Sequence, residues 1–248
     1  MSCAVVIPAR FASTRFPGKP LHVIAGRPLV QHVWERCGKC RHVDRILVAT
    51  DDERIAAAAR GFGAEVCMTS PDHQSGTDRI AEAARALPGA THIINVQGDE
   101  PLISPDLVDE LAAKMQADTG IGMITAVHVI DDEAVLDNPN VVKCVLSRDG
   151  RALYFSRSRI PYPRGRHPGM QYWRHMGIYG FRRDFLEQFV RWEPSPLEVT
   201  ESLEQLRALE NGAAIHVVIT DHDSPGIDTP EQAQEMETRM AGLLRARH

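Results

Sequence analysis

The stretch AVVIPARFASTRFPGKP, residues 4–20, joins a short apolar run to a basic loop. Residues 4–8 are apolar and partly β-branched, which is typical of a strand buried in a parallel sheet. The loop from Arg10 to Lys19 carries three cations and two hydroxyls. Ligands in open α/β sheets bind beyond the C-terminal ends of the parallel strands. Because guanidinium and ammonium groups bind phosphate oxygens, the stretch predicts an α/β fold whose first loop holds the phosphates of a nucleotide.

Two other phosphate-binding motifs are excluded by the residues of this loop. A Walker A loop requires GxxxxGK followed by Ser or Thr, whereas Ser13 stands at the first glycine position and Pro20 follows Lys19. A dinucleotide-binding fingerprint requires GxGxxG after the first strand, and the loop contains only Gly18. This difference counts against a nicotinamide-dependent dehydrogenase. A solvated basic surface loop is the structural alternative.

Short apolar runs alternate with helical patterns along the rest of the chain. This alternation predicts βαβ units and a mainly parallel sheet. With 248 residues and no obvious linker, we expect a single domain spanning residues 1–248. Predicted strands cover 4–8, 45–50, 64–69, 92–96, 121–129, 141–146, 175–181 and 213–220. Predicted helices cover 28–37, 53–60, 78–87, 104–115 with Ser104 as its cap, 183–192, 197–210 and 229–245.

Composition and charge argue against several classes of protein. No run of eighteen apolar residues is present, and the N-terminus lacks the basic segment of a signal peptide, so we expect a cytoplasmic protein that does not enter membranes. The net charge of −5 gives no general basic surface for nucleic acid. Five scattered cysteines fit a reducing compartment. We interpret the CxxC of Cys37 and Cys40 as two helix-end cysteines rather than a zinc or redox site, because no second pair follows.

Further motifs follow the first loop in order along the chain. They are HQSGTDR (73–79), NVQGDEP (95–101), ALYFSR (152–157), RHMGIYGF (174–181), SPLE (195–198), LEQLRALENG (203–212) and GIDTPE (226–231). Together with the first loop they closely resemble the 3-deoxy-manno-octulosonate cytidylyltransferases, the CMP-Kdo synthetases of Gram-negative bacteria. The resemblance implies a Rossmann-like three-layer α/β sandwich of the nucleotide-diphospho-sugar transferase type, with a mixed, mostly parallel sheet. It also implies a smaller sugar-binding and dimerisation subregion at about 121–212, with a homodimer interface that includes the strands around 174–181.

The same resemblance implies a reaction and a set of site residues. CTP and the sugar acid 3-deoxy-D-manno-octulosonate (Kdo) would give CMP-Kdo and pyrophosphate with Mg²⁺, for lipopolysaccharide biosynthesis. Asp99 and Asp228 would hold the metal, and Lys19 and Arg15 would act with them in catalysis. The implied nucleotide-binding residues are Ala9, Arg10, Ser13, Arg15, Lys19, Gln74, Ser75, Gly76, Arg79, Gln97 and Gly98. The implied sugar-binding residues are Gln97, Arg157, His175, Tyr179, Glu204 and Gln205.

Several of these residues have a simpler explanation in the sequence itself. Ser75 fits the N-cap of a helix, although the same helix start offers free amides to a ligand. Asp228 fits a cap or first-turn acid of the last helix. Tyr179 fits a core position, and His175 fits a structural hydrogen-bond donor. Glu204–Gln205 on a helix over 197–210 would ordinarily be exposed to solvent.

Two alternatives to Kdo transfer stay open from the sequence. A sister cytidylyltransferase would act on another sugar acid, such as 8-amino-Kdo or sialic acid, because one polar group separates such substrates. A non-catalytic nucleotide-binding domain on the same fold would be expected to lack the metal carboxylates or the catalytic lysine, and all three are present. The proline- and glycine-rich segment 161–171 is interpreted as a mobile loop that covers the sugar site or, alternatively, as a variable surface loop.

Overall fold

Nine strands form one mixed sheet in the part of the chain that the computed structural model describes, residues 1–12, 15–165 and 169–245. Two further short strands form a hairpin outside that sheet. The strands are β1 (Cys3–Ala9), β2 (Val23–Ile24), β3 (Arg27–Pro28), β4 (Arg45–Thr50), β5 (Glu65–Met68), β6 (His92–Asn95), β7 (Met123–Val129), β8 (Lys143–Leu146), β9 (Ala152–Ser156), β10 (Trp173–Arg182) and β11 (Ile215–Thr220). The helices are α1 (Leu29–Cys37), α2 (Glu53–Gly61), α3 (Gly76–Ala84), α4 (Pro105–Ala117), α5 (Arg183–Phe189), α6 (Pro196–Glu201), α7 (Leu206–Glu210) and α8 (Pro230–Arg245), with 3₁₀ turns at Lys19–Leu21 and Glu133–Val135.

The order of the strands is β11-β7-β10-β6-β1-β4-β5. The β1 strand pairs in parallel with β4 and β6, β4 pairs in parallel with β5, and β7 pairs in parallel with β11. The β10 strand runs antiparallel to both of its neighbours, β6 and β7, and its first residues also pair with β8. The predicted mixed, mostly parallel sheet is therefore confirmed.

The two faces of the sheet bury separate apolar clusters. Along β1, Val5 and Ile7 pack into one cluster and Ala4 and Val6 into the other, as successive side chains of a strand must. The first cluster includes residues of α1, α2 and α4, and the second includes residues of α3, α5 and α7. Each buried aliphatic side chain contributes about 1.5–3 kcal/mol. This burial on both faces gives the three layers of the fold and explains the unbroken apolar run of β1.

A third cluster fixes the first loop against the last helix. Phe16 from the basic loop packs with Ile227, which precedes α8, and with Ala233 and Met236 of that helix. All four side chains are at most 9% exposed. Since Phe16 lies between Arg15 and Lys19, and Ile227 lies beside Asp228, this packing brings two distant charged segments together.

The sequence prediction fails at three places, two of them in the second half of the chain and one at Ser104. The predicted helix over 197–210 is two helices, because Ser202 adopts a left-handed conformation with φ of +51° and ends α6. The β9 strand was not predicted as a strand, although its residues belong to one of the motifs. Ser104 precedes α4, but its side chain makes no capping hydrogen bond. Among the described residues, no helix is long and apolar enough to cross a lipid bilayer.

Candidate active site

A cavity of about 350 Å³ opens beyond the C-terminal ends of β1 and β6 and beside the first residue of α3. This volume lies within the range of small-molecule sites. Most of the sequence-predicted nucleotide and metal residues line it. They are Ala9, Arg10, Arg15, Lys19, Gln74, Ser75, Gly76, Arg79, Gln97, Gly98, Asp99 and Asp228. Ser13 lies outside the described residues.

At one end of the cavity Lys19 lies between two carboxylates. Its Nζ is 2.5 Å from Asp99 Oδ2 and 3.3 Å from Asp228 Oδ1. The Arg15 guanidinium is 3.1 Å from the other oxygen of Asp228. The Lys19 side chain is 13% exposed and that of Asp99 is 26% exposed, so their attraction is weakly screened by solvent. Two acids that are far apart in the sequence thus share one cation.

The main chain places Asp228 at this site, and the helix-cap explanation for it is wrong. Ile227 N donates to Asp99 O at 3.0 Å, which joins the two acidic segments directly. The start of α8 is held instead by Thr229 Oγ1, which accepts from Gln232 N, while the Gln232 side chain accepts from the amide of Asp228 at 2.6 Å. The carboxylate of Asp228 is therefore free to face Lys19 and Arg15.

Two glycines allow the segments around the cavity to approach one another. A Cβ atom on Gly98 would lie 2.9 Å from the carbonyl oxygen of Pro8, closer than side-chain carbons come to main-chain atoms. Gly98 therefore lets the turn that carries Asp99 lie directly on the end of β1. Gly18 has a φ of +72°, which favours glycine, and it precedes Lys19 at the end of the basic loop.

The N-terminus of α3 forms another part of the cavity wall. Ser75 Oγ accepts from Asp78 N at 3.0 Å and donates to Asp78 Oδ2 at 2.9 Å, so the predicted cap is confirmed. The first amides of the helix remain available to a ligand. Arg79 is 3% exposed, and its guanidinium donates to Thr69 Oγ1 at 2.5 Å and pairs with Asp51 at 3.3 Å. Arg79 thus lines the cavity with its charge already paired.

The pair Glu204–Gln205 does not face solvent, contrary to the expectation from the helical pattern. Thr77 Oγ1 of α3 donates to Glu204 Oε2, and Gln205 is 3% exposed. The break at Ser202 turns the chain so that these side chains point inward. Glu204 Oε1 and Gln205 Nε2 are buried and have no hydrogen-bond partner among the described residues. Burial raises the pKa of Glu204, and the hydrogen bond from Thr77 opposes that rise.

His175 and Tyr179 belong to β10, where the pairing with β7 is irregular between Met176 and Tyr179. Thr125 Oγ1 donates to Ile178 O at 2.7 Å, so His175 Nε2, 2.9 Å from the same hydroxyl, must be the donor to it. Burial lowers the pKa of His175 to about 3, which keeps the ring neutral near pH 7. The structure therefore gives His175 the structural donor role, with Nδ1 left as an acceptor, while its contact with a sugar stays a prediction.

Arg157 lies outside the residues that line the cavity. Its guanidinium donates to three main-chain carbonyls, at Glu201 (2.6 Å), Pro139 (2.9 Å) and Ser202 (3.2 Å). The structure thus holds Arg157 against the turn that precedes Glu204–Gln205. Its contact with the sugar stays a prediction.

Comparison with known proteins identifies the family. A cytidylyltransferase family model matches residues 4–215. The 3-deoxy-manno-octulosonate cytidylyltransferase of Marinobacter nauticus is 50% identical over 97% of this chain and 97% of its own, and that of Geobacter sulfurreducens is 49% identical over 95% and 98%. A solved structure of CMP:2-keto-3-deoxy-manno-octonic acid synthetase complexed with CTP superposes with a TM-score of 0.94 at 42% identity, covering 98% of this chain and 99% of that one.

The chain belongs to the 3-deoxy-manno-octulosonate cytidylyltransferase family. The resemblance drawn from the motifs is thereby confirmed, and so is the nucleotide-sugar transferase type of fold. These matches span nearly the full length of both chains, so the cavity belongs to the part of the molecule that the family shares.

Four residues that line the cavity were not predicted from the sequence. Pro8, Ala12, Pro20 and His73 also line it. His73 Nε2 contacts Glu82, whose carboxylate also accepts from Ser70 N, so the ring is fixed in orientation. His73 is the first residue of the HQSGTDR motif, and its place beside the predicted nucleotide-binding residues of that motif could have indicated its position in the cavity.

Glu100 and the cysteine pair take no part in the cavity. Glu100 is 7% exposed, and burial followed by the charge of Asp99 raises its pKa to about 8. Cys37 is the last residue of α1, and it and Cys40 are free thiols. Burial raises the thiol pKa of both, which disfavours the reactive thiolate. Among the described residues, no group of three or more His, Cys, Asp or Glu side chains is arranged to hold a metal ion.

A second cavity of about 640 Å³ adjoins the first and shares Gln74 and Ser75 with it. Glu204 contributes to its wall from the segment before α7, and Trp192 from the segment after α5. Arg207, also in its wall, pairs with Glu198 through two hydrogen bonds and is therefore neutralised. Glu204 thus stands between the N-terminus of α3 and a second open space.

Proposed function

We propose that this protein transfers the CMP moiety of CTP to the anomeric hydroxyl of Kdo, giving CMP-Kdo and pyrophosphate for lipopolysaccharide biosynthesis. The observation that carries the proposal is the convergence of Lys19, Asp99 and Asp228 at the end of a cavity lined by the family's nucleotide motifs. Relatives at about half identity over nearly their whole length carry the name of this activity. A structure with a TM-score of 0.94 is complexed with CTP.

The triphosphate is proposed to lie along the basic loop. Arg10, Arg15 and Lys19 all line the cavity, and their charges suit an anion that carries several phosphate groups. Phosphoryl-type transfer depends mainly on positioning and on neutralising charge. We assign to Lys19 the stabilisation of charge on the α-phosphate, because its Nζ is held at a fixed point by two carboxylates. The anomeric hydroxyl then attacks the α-phosphorus in line, and pyrophosphate leaves.

Asp99 and Asp228 are proposed to hold Mg²⁺. Oxygens of both carboxylates already lie close to one cationic group, the Lys19 ammonium. One cation can therefore reach both side chains at the same time. Mg²⁺ is ordinarily held by one or two carboxylates together with substrate phosphates and water, so two acids are a sufficient protein contribution. A bound Mg²⁺ supplies charge neutralisation at the phosphates and lowers the pKa of the attacking hydroxyl.

The acceptor sugar is proposed to bind beside Gln97, on the side of Tyr179 and Glu204–Gln205. The buried atoms Glu204 Oε1 and Gln205 Nε2 lack partners among the described residues. Such atoms are costly unless a ligand pairs with them. A polyhydroxylated sugar acid offers both donors and acceptors, so these two atoms support a polar acceptor rather than an apolar one.

The protein is further proposed to be a cytoplasmic homodimer. Five free thiols suit a reducing compartment. Leu153 on β9 is 60% exposed and Tyr162, in the segment that follows that strand, is 81% exposed. Large apolar side chains that one chain leaves exposed are candidates for burial against a second copy. Light scattering is expected to give the dimer mass for the wild type and a smaller mass for Leu153→Glu.

The substrates are tested by pyrophosphate release with a panel of nucleotides and sugar acids. CTP with Kdo is expected to react fastest, and ATP, GTP and UTP to react at least about 100-fold more slowly, since polar groups that recognise a base are left unpaired by the wrong one. Faster turnover of sialic acid or 8-amino-Kdo than of Kdo would show that Kdo is not the preferred acceptor. Nucleotide binding without turnover of any sugar acid would refute the proposed activity and indicate a non-catalytic nucleotide-binding domain.

A further inference from the structure

The turn between α6 and α7 carries two buried polar atoms next to a residue with an unfavourable backbone conformation. Ser202 has a left-handed φ of +51°, a conformation that costs a residue with a side chain about 1 kcal/mol or more. Glu204 Oε1 and Gln205 Nε2 follow within three residues and lack partners among the described residues. A strained turn keeps such a geometry when surrounding contacts fix it.

Arg157 supplies those contacts from outside the turn. Its Nε donates to Glu201 O at 2.6 Å and its Nη2 to Ser202 O at 3.2 Å. One side of the guanidinium fork is therefore filled by two successive carbonyls of the turn. Nη1 donates to Pro139 O at 2.9 Å, so the group also spans two separate segments. Charged donors to carbonyls form stronger hydrogen bonds than neutral ones.

The main chain at Arg157 is itself anchored on both sides. Arg157 N donates to Glu201 Oε2 at 2.9 Å, and Ser156 Oγ donates to Glu201 Oε1 at 2.6 Å. The carbonyl of Arg157 accepts from Lys143 Nζ, a fully buried ammonium that also donates to Val141 O at 2.6 Å. Arg157 and Glu201 thus form a closed set of contacts between the end of β9 and the end of α6, which we name the Arg157–Glu201 clamp.

We infer that Arg157 is a positioning residue, whose clamp with Glu201 fixes the Ser202 turn and thereby aims Glu204 and Gln205 at the acceptor sugar. The inference rests on the proposed acceptor site. It replaces the direct sugar contact that the family resemblance implies for Arg157. The physical reason is that three of the five guanidinium N–H donors, including the whole Nε–Nη2 side, are already bound to main-chain carbonyls.

The first experiment is a double-mutant cycle with Arg157→Gln and Glu201→Ala, assayed by pyrophosphate release. Each single change is expected to raise KM for Kdo about tenfold, while KM for CTP changes less than about twofold. The double variant is expected to be no worse than the more impaired single one, because both act through the same turn. Arg183→Gln is the matched control, since Arg183 also donates to a main-chain carbonyl, that of Leu87 at 2.6 Å, but at the far end of β10.

A direct role for Arg157 predicts a different pattern. Glu201→Ala would then leave KM for Kdo nearly unchanged, and the effect of Arg157→Gln would vanish with a Kdo carboxamide, which carries no charge to pair with. Either result would overturn the inference. Additive losses in the double variant would overturn it too.

Hydrogen exchange supplies a readout that needs no turnover. Amides of residues 200–206 are expected to exchange at least about fivefold faster in Arg157→Gln and in Glu201→Ala than in the wild type or Arg183→Gln. Unchanged exchange would show that the clamp does not hold the turn. Failure of the wild type to release pyrophosphate from CTP and Kdo would instead remove the proposed function, and the exchange result would still report on the clamp.

Discussion

Replacing Asp99 by Asn tests the charged end of the cavity most directly. The change is nearly isosteric, so it removes the charge of the carboxylate that lies 2.5 Å from Lys19 Nζ without removing its volume. Lys19 keeps Asp228 at 3.3 Å, and the ammonium is therefore not left as an unpaired buried charge. We expect a loss of stability of about 1–3 kcal/mol, smaller than that for breaking an isolated buried pair.

The effect on turnover is expected to be larger than the effect on stability. Losing one preorganised charge at a reacting phosphate lowers kcat by about 10²–10³-fold, or about 2.7–4 kcal/mol at 1.36 kcal/mol per factor of ten. Because Asp99 is also a proposed Mg²⁺ ligand, the remaining activity should require more Mg²⁺ for half saturation. Pyrophosphate release measured across a Mg²⁺ series, with a thermal melt of each variant, gives both quantities.

Asp106→Asn is the matched control for Asp99→Asn. Asp106 is 72% exposed, lies in α4 and pairs weakly with Arg41 at 3.4 Å. Its loss removes one negative charge of the protein away from the cavity, and turnover should stay within about twofold. Near-normal activity of Asp99→Asn at ordinary Mg²⁺ would refute the assignment of Asp99 to the metal site. An equal loss in both variants would show that net charge, not position, matters.

Three further outcomes are expected. Gly98→Ala should lower the free energy of unfolding by about 1–3 kcal/mol and should also lower kcat/KM, because the added Cβ would lie 2.9 Å from the Pro8 carbonyl oxygen. An unchanged melting temperature would contradict this. Ile227→Ala should destabilise by about 2–5 kcal/mol and raise KM for CTP, measured by urea unfolding and kinetics, since it loosens the cluster with Phe16. The free energy of unfolding should fall as the pH drops from about 6.5 towards 3. In this range His175 is protonated in the unfolded chain but stays neutral in the folded protein, where its pKa is about 3. His175→Gln should show a shallower fall in urea unfolding across that window, and an identical slope would exclude His175 as the cause.

The sequence by itself determined the fold class and the nucleotide end of the cavity. The apolar run of β1, the alternation of strands and helices, and the cap at Ser75 are local patterns, and they depend on residues within a few positions of each other. The basic loop follows β1 directly, so its place at the carboxyl end of the sheet was settled by chain order alone. Nothing about these features required knowledge of distant contacts.

The tertiary structure decided the features that depend on long-range contacts. Asp228 lies 209 positions from Lys19, and its role at the cavity depends on two long-range contacts of Ile227, the packing against Phe16 and the hydrogen bond to Asp99 O. The inward turn of Glu204–Gln205 depends on Ser202, whose left-handed conformation no local propensity favours. The clamp from Arg157 joins strands and helices 44 positions apart. Local sequence patterns indicate which side chains of a segment are buried. The residues that hold a strained turn or pair with a buried charge lie elsewhere in the chain, and only the folded structure brings them into contact.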